Sequence, residues 1–242
     1  MLEKILEYER ELFLQLNGIH SLFGDQFMWL YSGFYVWVPL VISFIFILFY
    51  SNRTRWKEIL LIIATLVLAV TLCDQFASHV CKPYFARFRP TYHPDFMNDV
   101  MTVFDYRGGK YGFISSHAAN GFGFAMLTSL IFRNKLYSIL IMLWATVSAY
   151  SRIYLGVHFI SDIVPGILTG LFVGWIVYRL FIYSHYKLFT NRQMTHELKI
   201  PASLEAIKGI KLIASLLVVT VVLIVIISLL CAAELIPAIK LK

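Results

Sequence analysis

The sequence has 242 residues, of which 59% are hydrophobic, 16% aromatic and only 14% charged. A soluble domain carries about a quarter charged residues, so the composition excludes a soluble enzyme, a disordered tail and a disulfide-stapled secreted domain. Six membrane spans of about 20–24 residues would take up about 130 residues, close to the apolar share. Lys plus Arg number 21 against 14 Asp plus Glu, a formal +7. In a membrane protein that excess reads as topogenic loops touching anionic headgroups, and no basic run interleaved with aromatics suggests a nucleic-acid partner.

Taken in chain order, Leu2, Ile5, Leu6, Leu12, Phe13 and Leu16 recur at helical spacing among acids and Lys4. They predict an amphipathic helix lying at the membrane interface and ending at Asn17-Gly18. Glu3, Glu7, Glu9 and Glu11 replace the basic head of a signal peptide, so the following span is expected to be retained. The predicted spans are Phe27–Tyr50, Ile59–Ser78, Ile114–Phe132, Leu136–Tyr154, Phe159–Tyr183 and Ile210–Ala232. The fold class is therefore all-α, a polytopic bundle of about six transmembrane helices. Its units are an interfacial segment 1–26, a membrane core 27–183 containing a long 81–113 loop, and a polar stretch plus last helix at 184–242. Cys73, Cys81 and Cys231 have no metal-ligand spacing. On one helix Cys73 and Cys81 stand about 12 Å apart, too far for a disulfide.

The short connections Asn52–Lys57 and Arg133–Lys135 and the 184–209 stretch are basic and fall on one side, which the positive-inside rule makes the cytoplasm. The other side collects Lys82 and Arg89 after the second span, Ser115, Ser116 and His117 at the start of the third, and Ser151-Arg152, His158 and Asp162 between the fourth and fifth. An up-and-down bundle brings all of these helix ends to one face.

These residue types suit phosphoryl transfer. Lys82, Arg89 and Arg152 supply permanent cations, and guanidinium forks match phosphate oxygens. Ser115 and Ser116, with the free N–H groups of a helix start, add neutral donors. His158 and Asp162 are four apart, so a carboxylate can hold one ring nitrogen while the other acts as nucleophile. His117 remains as acid for the leaving alkoxide and then as base for water. Asp74 forms an i, i+4, i+8 stripe with Ser78 and Lys82 and is a possible support, as is Ser151. Each residue alone has a plainer reading: interfacial anchor, snorkelling cation or helix-packing hydrogen bond. Arg87 reads as serving a headgroup or a surface, and Asp95–Tyr111 as a lid or a disordered loop.

The pattern Lys-x6-Arg-Pro, Ser-x-His, then Ser-Arg-x5-His-x3-Asp resembles the signature of the type-two phosphatidic acid phosphatases, whose sites are related to vanadium haloperoxidases. The middle element usually reads Pro-Ser-Gly-His; here it is Ile114-Ser115-Ser116-His117, with Ser and His retained. The resemblance covers about Asp74 to the end of the fifth span. It implies a metal- and cofactor-free lipid phosphate hydrolase with His158 as nucleophile, Asp162 orienting it, His117 as acid, and Lys82, Arg89, Arg152 and Ser115 on the phosphate. Bacterial relatives imply lipid A phosphate, undecaprenyl diphosphate, phosphatidylglycerol phosphate or phosphatidic acid as substrate. The site is then expected at the periplasmic or outer face of an inner membrane. The competing expectations are a transporter or lipid-binding protein using the same anion site without turnover, and a vanadate-holding cradle. Transporters place polar groups near the midplane in related halves, whereas here they cluster at one end.

Overall fold

The computed structural model describes residues 2–189 and 208–240. Among the described residues nine α-helices follow in order: α1 Leu2–Asn17, α2 Leu22–Ser32, α3 Phe34–Ser51, α4 Trp56–Gln75, α5 Lys82–Phe85, α6 Ser116–Phe132, α7 Lys135–Tyr154, α8 Ile160–Phe189 and α9 Ile210–Ala232. No strand forms among the described residues; one isolated antiparallel bridge joins Phe88 to Tyr111. Among the described residues five segments are long and apolar enough to cross a membrane: Phe34–Ser51, Arg53–Phe85, Lys135–Tyr154, Ile160–Phe189 and Ile210–Ala232. The third predicted span is α6, shorter at 17 residues and innermost, packed against α8, α7 and α4.

Three predicted boundaries move. The first span breaks into α2 and α3 at Gly33, which is extended at φ −75°, ψ 131°. The Trp37 indole N–H donates to Tyr31 O at 2.8 Å, occupying a carbonyl left open at the end of α2. The second span does not stop at Ser78, because a π-helical turn Phe76–Cys81 carries it into α5. The fifth runs past Tyr183 to Phe189, since His185 is buried and bonded to Glu58 Oε2 at 2.8 Å, with the rings of Phe181 and Phe189 beside it. Of the polar stretch predicted at 184–209, residues 190–207 lie outside the described residues. Cys73, Cys81 and Cys231 are free thiols.

The helices have identifiable caps. Ser21, Ser115 and Asn134 accept from the backbone N–H of Gly24, Ala118 and Tyr137, as residues at N-cap positions do. At the far end, Asn52 is buried. Its side chain donates to Leu48 O and Lys208 O and accepts from Lys208 N, joining the end of α3 to the start of α9.

The α6–α8 contact sets the geometry of everything that follows. Gly166, Gly170 and Gly174 share one face of α8 at four-residue spacing, while Leu168 and Phe172 on the outer face are 62% and 60% exposed, as lipid-facing side chains would be. A Cβ on Gly170 would lie 2.4 Å from Ala119 O and 2.9 Å from Gly123 N. Small residues let two membrane helices approach backbone to backbone. Gly170→Ala is therefore expected to cost about 1–3 kcal/mol, the range for overpacking a tight core, visible as a lower Tm in detergent. It should also reduce activity, because the same contact aligns Ser115 with Asp162.

Candidate active site

The cluster forms at the end of the bundle opposite Asn52, where α5, α6, α7 and α8 meet the 86–115 segment. Lys82 sits just after the π turn, a distortion that frequently marks functional sites. Its Nζ donates to Ser116 Oγ at 2.7 Å and to Ser78 Oγ at 3.3 Å, and the Ser78 hydroxyl reaches Asp74 Oδ1 at 3.5 Å. The Asp74–Ser78–Lys82 stripe thus reaches across to the first turn of α6.

Arg89 is brought in by two short backbone ties. Its N–H donates to Lys110 O at 3.1 Å, and Gly112 N–H donates to Arg87 O at 2.9 Å. The Arg89 Nε then donates to Tyr111 O at 3.0 Å, which fixes the plane of its guanidinium. Two glycines make the room. Gly108 is left-handed at φ +69°, and a Cβ there would meet Arg89 Nη1 at 2.3 Å, so both its conformation and its neighbour exclude a larger residue. A Cβ on Gly112 would lie 2.9 Å from Asp162 Oδ2.

Arg152, at the end of α7, is only 3% exposed. One Nη donates to Ser32 Oγ and the other to Tyr106 Oη at 3.2 Å, while Nε is buried without a partner. Its own carbonyl accepts from Val157 N–H at 3.0 Å and His158 N–H at 3.3 Å, a tight turn that returns the His158 backbone to the end of α7. Asn17 braces this turn from outside. Its side chain donates to Met101 O at 3.0 Å and Tyr154 O at 2.9 Å, and accepts from Met101 N–H at 2.8 Å. The stretch predicted as a lid or a disordered loop is thereby tied down at Met101, and Val103 is buried against Tyr154, Leu155 and Val157.

His158 is 1% exposed. Burial, followed by the charges of Arg89, Arg152 and Lys82, holds its imidazole well below the ordinary histidine value. The neutral, lone-pair form therefore persists at neutral pH. Its Nδ1 faces Asp162 Oδ2 at 3.4 Å, alongside the Gly112 backbone, without a hydrogen bond of ordinary geometry. Asp162 is fully buried and engaged elsewhere. Oδ1 accepts from Arg87 Nη1 at 2.8 Å and Oδ2 from Phe159 N–H at 3.0 Å, while the Asp162 carbonyl accepts from Ser115 N–H at 3.0 Å.

The other predicted residues divide. Ser115 is buried and serves as the cap of α6. Ser151 turns away, its hydroxyl donating to Ser148 O at 2.7 Å. His117 is open to solvent yet within electrostatic reach of Arg152, His158, Arg89 and Lys82. Glu9, Tyr106, Ser32 and Ser161 are site neighbours that the sequence pattern did not single out, and Arg87, read from sequence as serving a headgroup or a surface, instead pairs with Asp162 and Glu9. The signal available for Arg87 was its place two residues before Arg89 in an extended run; for Glu9 there was none.

Three cations and two histidines lie within electrostatic reach of one another here, beside the N-terminus of α6. Residues 60–186, more than half of the chain, match the PAP2 superfamily. The chain belongs to that superfamily. This PAP2 protein is 51% identical over 183 residues to a lipid A 4'-phosphatase of Porphyromonas gingivalis, covering 76% of this chain and 77% of that one. It is 37% identical over 179 residues to a lipid A 4'-phosphatase of Bacteroides thetaiotaomicron, covering 74% and 79%. Its fold is similar to the crystal structure of Aquifex aeolicus LpxE, with a TM-score of 0.53 at 25% identity over 70% of this chain and 93% of that one. This PAP2 protein is an integral membrane protein and a phosphoric ester hydrolase acting as a lipid phosphatase, as its sequence pattern implied.

Proposed function

We propose that the protein removes the 4'-phosphate of lipid A, by two-step transfer through His158, at the periplasmic face of a bacterial inner membrane. The observation that carries the reading is the buried His158, with Nδ1 3.4 Å from Asp162 Oδ2 and within electrostatic reach of Arg89, Arg152 and Lys82. The 51% identity to a lipid A 4'-phosphatase over three quarters of both chains supports the choice of lipid.

The chemistry follows from the geometry. The phosphate enters among Lys82, Arg89 and Arg152, with Ser116 and the α6 N-terminus adding donors. His158 Nε2 attacks phosphorus in line, so a P–N bond forms as the P–O bond to the sugar breaks. His117 protonates the departing alkoxide, then takes a proton from the water that attacks the phosphohistidine and releases inorganic phosphate. Asp162 orients the ring and balances the imidazolium as charge develops. The fixed cations stabilise the equatorial oxygens in a site that needs no reorganisation. That cationic set would repel a divalent ion, so the reaction is assigned to the protein's own groups.

The orientation rests on charge. Arg53, Arg55, Lys57, Arg133 and Lys135 cluster at or near helix ends away from the site, and cationic loops remain cytoplasmic. A membrane-impermeant thiol reagent should label an Arg107→Cys variant from outside in intact cells; labelling only after permeabilisation would reverse the orientation. The substrate is tested by phosphate release from purified protein with lipid A, undecaprenyl diphosphate and phosphatidic acid, each in excess chelator. Lipid A should show the highest kcat/KM and chelator should change nothing. A higher value on undecaprenyl diphosphate would make isoprenoid carrier recycling the function, and abolition by chelator would overturn the metal-free chemistry.

A further inference from the structure

We propose that Glu9, from the N-terminal helix, is a positioning residue for this site: through Arg87 it sets the carboxylate of Asp162 and so the presentation of His158. The proposal rests on the reading of His158 as nucleophile. Glu9 lies outside residues 60–186 and belongs to none of the sequence elements that mark the site. Its Oε2 accepts from Arg87 Nη2 at 2.8 Å, and its Oε1 accepts from Ser161 N–H at 3.0 Å, one of the open donors at the start of α8. Arg87 is held at three points: by Glu9, by Ser161 Oγ and by Asp162 Oδ1. Its guanidinium also lies 4.6 Å from the centre of the Phe159 ring.

The geometry gives each contact a direction. A guanidinium presents its donors in a rigid plane, so fixing Nη2 on Glu9 aims Nη1 at Asp162. Asp162 is fully buried and has only Phe159 N–H on its other oxygen. Without Arg87 that carboxylate would be left with a single donor in a low-dielectric site, free to turn away from His158 Nδ1 or to take up a proton. Without Glu9, Arg87 would lose its anchor and leave its second fork arm unpaired. The helix that supplies Glu9 is itself fixed. Phe13 is fully buried against Phe159, ring centres 5.3 Å apart. Asn17 grips the α7–α8 turn, and Arg10 reaches Asp95 at 3.3 Å and His93 at 3.1 Å. The helix read from sequence as an interfacial element thus supplies a side chain to the network behind the nucleophile.

The test compares full-length Glu9→Gln, Arg87→Gln, the double variant and His158→Ala in detergent or proteoliposomes, with kcat and KM measured separately. Gln keeps the size of Glu9 but not its charge. The proposal predicts a kcat lower by about tenfold, the scale of one charge-assisted hydrogen bond, with KM unchanged because Glu9 does not touch the substrate. In the Arg87→Gln background, Glu9→Gln should add no further loss, as expected for residues acting as one unit. Wild-type kcat in Glu9→Gln, or a fully additive loss in the double variant, would overturn the proposal while an inactive His158→Ala leaves the nucleophile reading standing. Activity in His158→Ala would overturn that reading itself. Should Glu9→Gln fail to accumulate in membranes, Arg87→Lys keeps the charge without the fork; it should show the same selective loss of kcat, and wild-type kcat there would equally overturn the proposal.

Discussion

Replacing His158 with alanine is expected to stop phosphate release, by about 10⁴-fold or more, the scale at which a covalent nucleophile is lost. The cations that hold phosphate reside on separate elements. Lys82 follows the π turn, Arg89 is fixed by Tyr111 O, and Arg152 is fixed by Ser32 and Tyr106. Removing the imidazole leaves those anchors in place, so lipid binding should survive the loss of turnover, measured as retention of the substrate by the inactive variant. Loss of binding together with activity would mean that His158 chiefly shapes the cradle. Its depressed pKa adds a direction: the neutral nucleophile is retained as pH falls, so no loss of kcat/KM from its protonation is expected until below the ordinary imidazole value of about 6.5.

The second large effect is expected at His117. Its substitution by alanine should slow release of the lipid alkoxide by about 10²–10⁴-fold, the usual worth of a positioned general acid. The loss should depend on the leaving group. An activated aryl phosphate departs without a proton, so the first step should stay fast, while the second still lacks its base. The variant should then show a burst of phenol close to one equivalent and stall as a phosphoryl-enzyme. A uniform loss on lipid and aryl substrates with no burst would remove the acid–base role from His117.

Much of this was legible from the sequence because the bilayer makes charge conspicuous. In a chain with 14% charged residues, Lys82, Arg89, Arg152, His158 and Asp162 could be read as one face from helix count and spacing alone. What escaped was the side chains' choice of partner. The i, i+4 spacing of His158 and Asp162 suggested a direct bond, but the α8 start gives Asp162 to Arg87 and Phe159 N–H first, leaving 3.4 Å to the ring. The last turn of α7 hides the Ser151 hydroxyl on Ser148 O, which no spacing rule separates from a phosphate donor. Glu9 was one acid among four on an amphipathic helix; its contact with Arg87 spans 78 residues and depends on how Phe13 docks α1. The Gly166–Gly170–Gly174 face went unread in the sequence, and its use became evident only against the backbone of α6. Boundaries moved where a single residue overrode apolarity: Gly33 broke the first span, and buried His185 extended the fifth.

The central claim is most directly tested by locating the phosphoryl group in the stalled His117→Ala enzyme. Turnover of labelled aryl phosphate, rapid denaturation in base, and sequencing of the labelled peptide should place one phosphoryl group on His158, and none should appear when His158→Ala is added. A label on another residue, or a burst with no covalent phosphate on the protein, would contradict the assignment of His158 as the nucleophile.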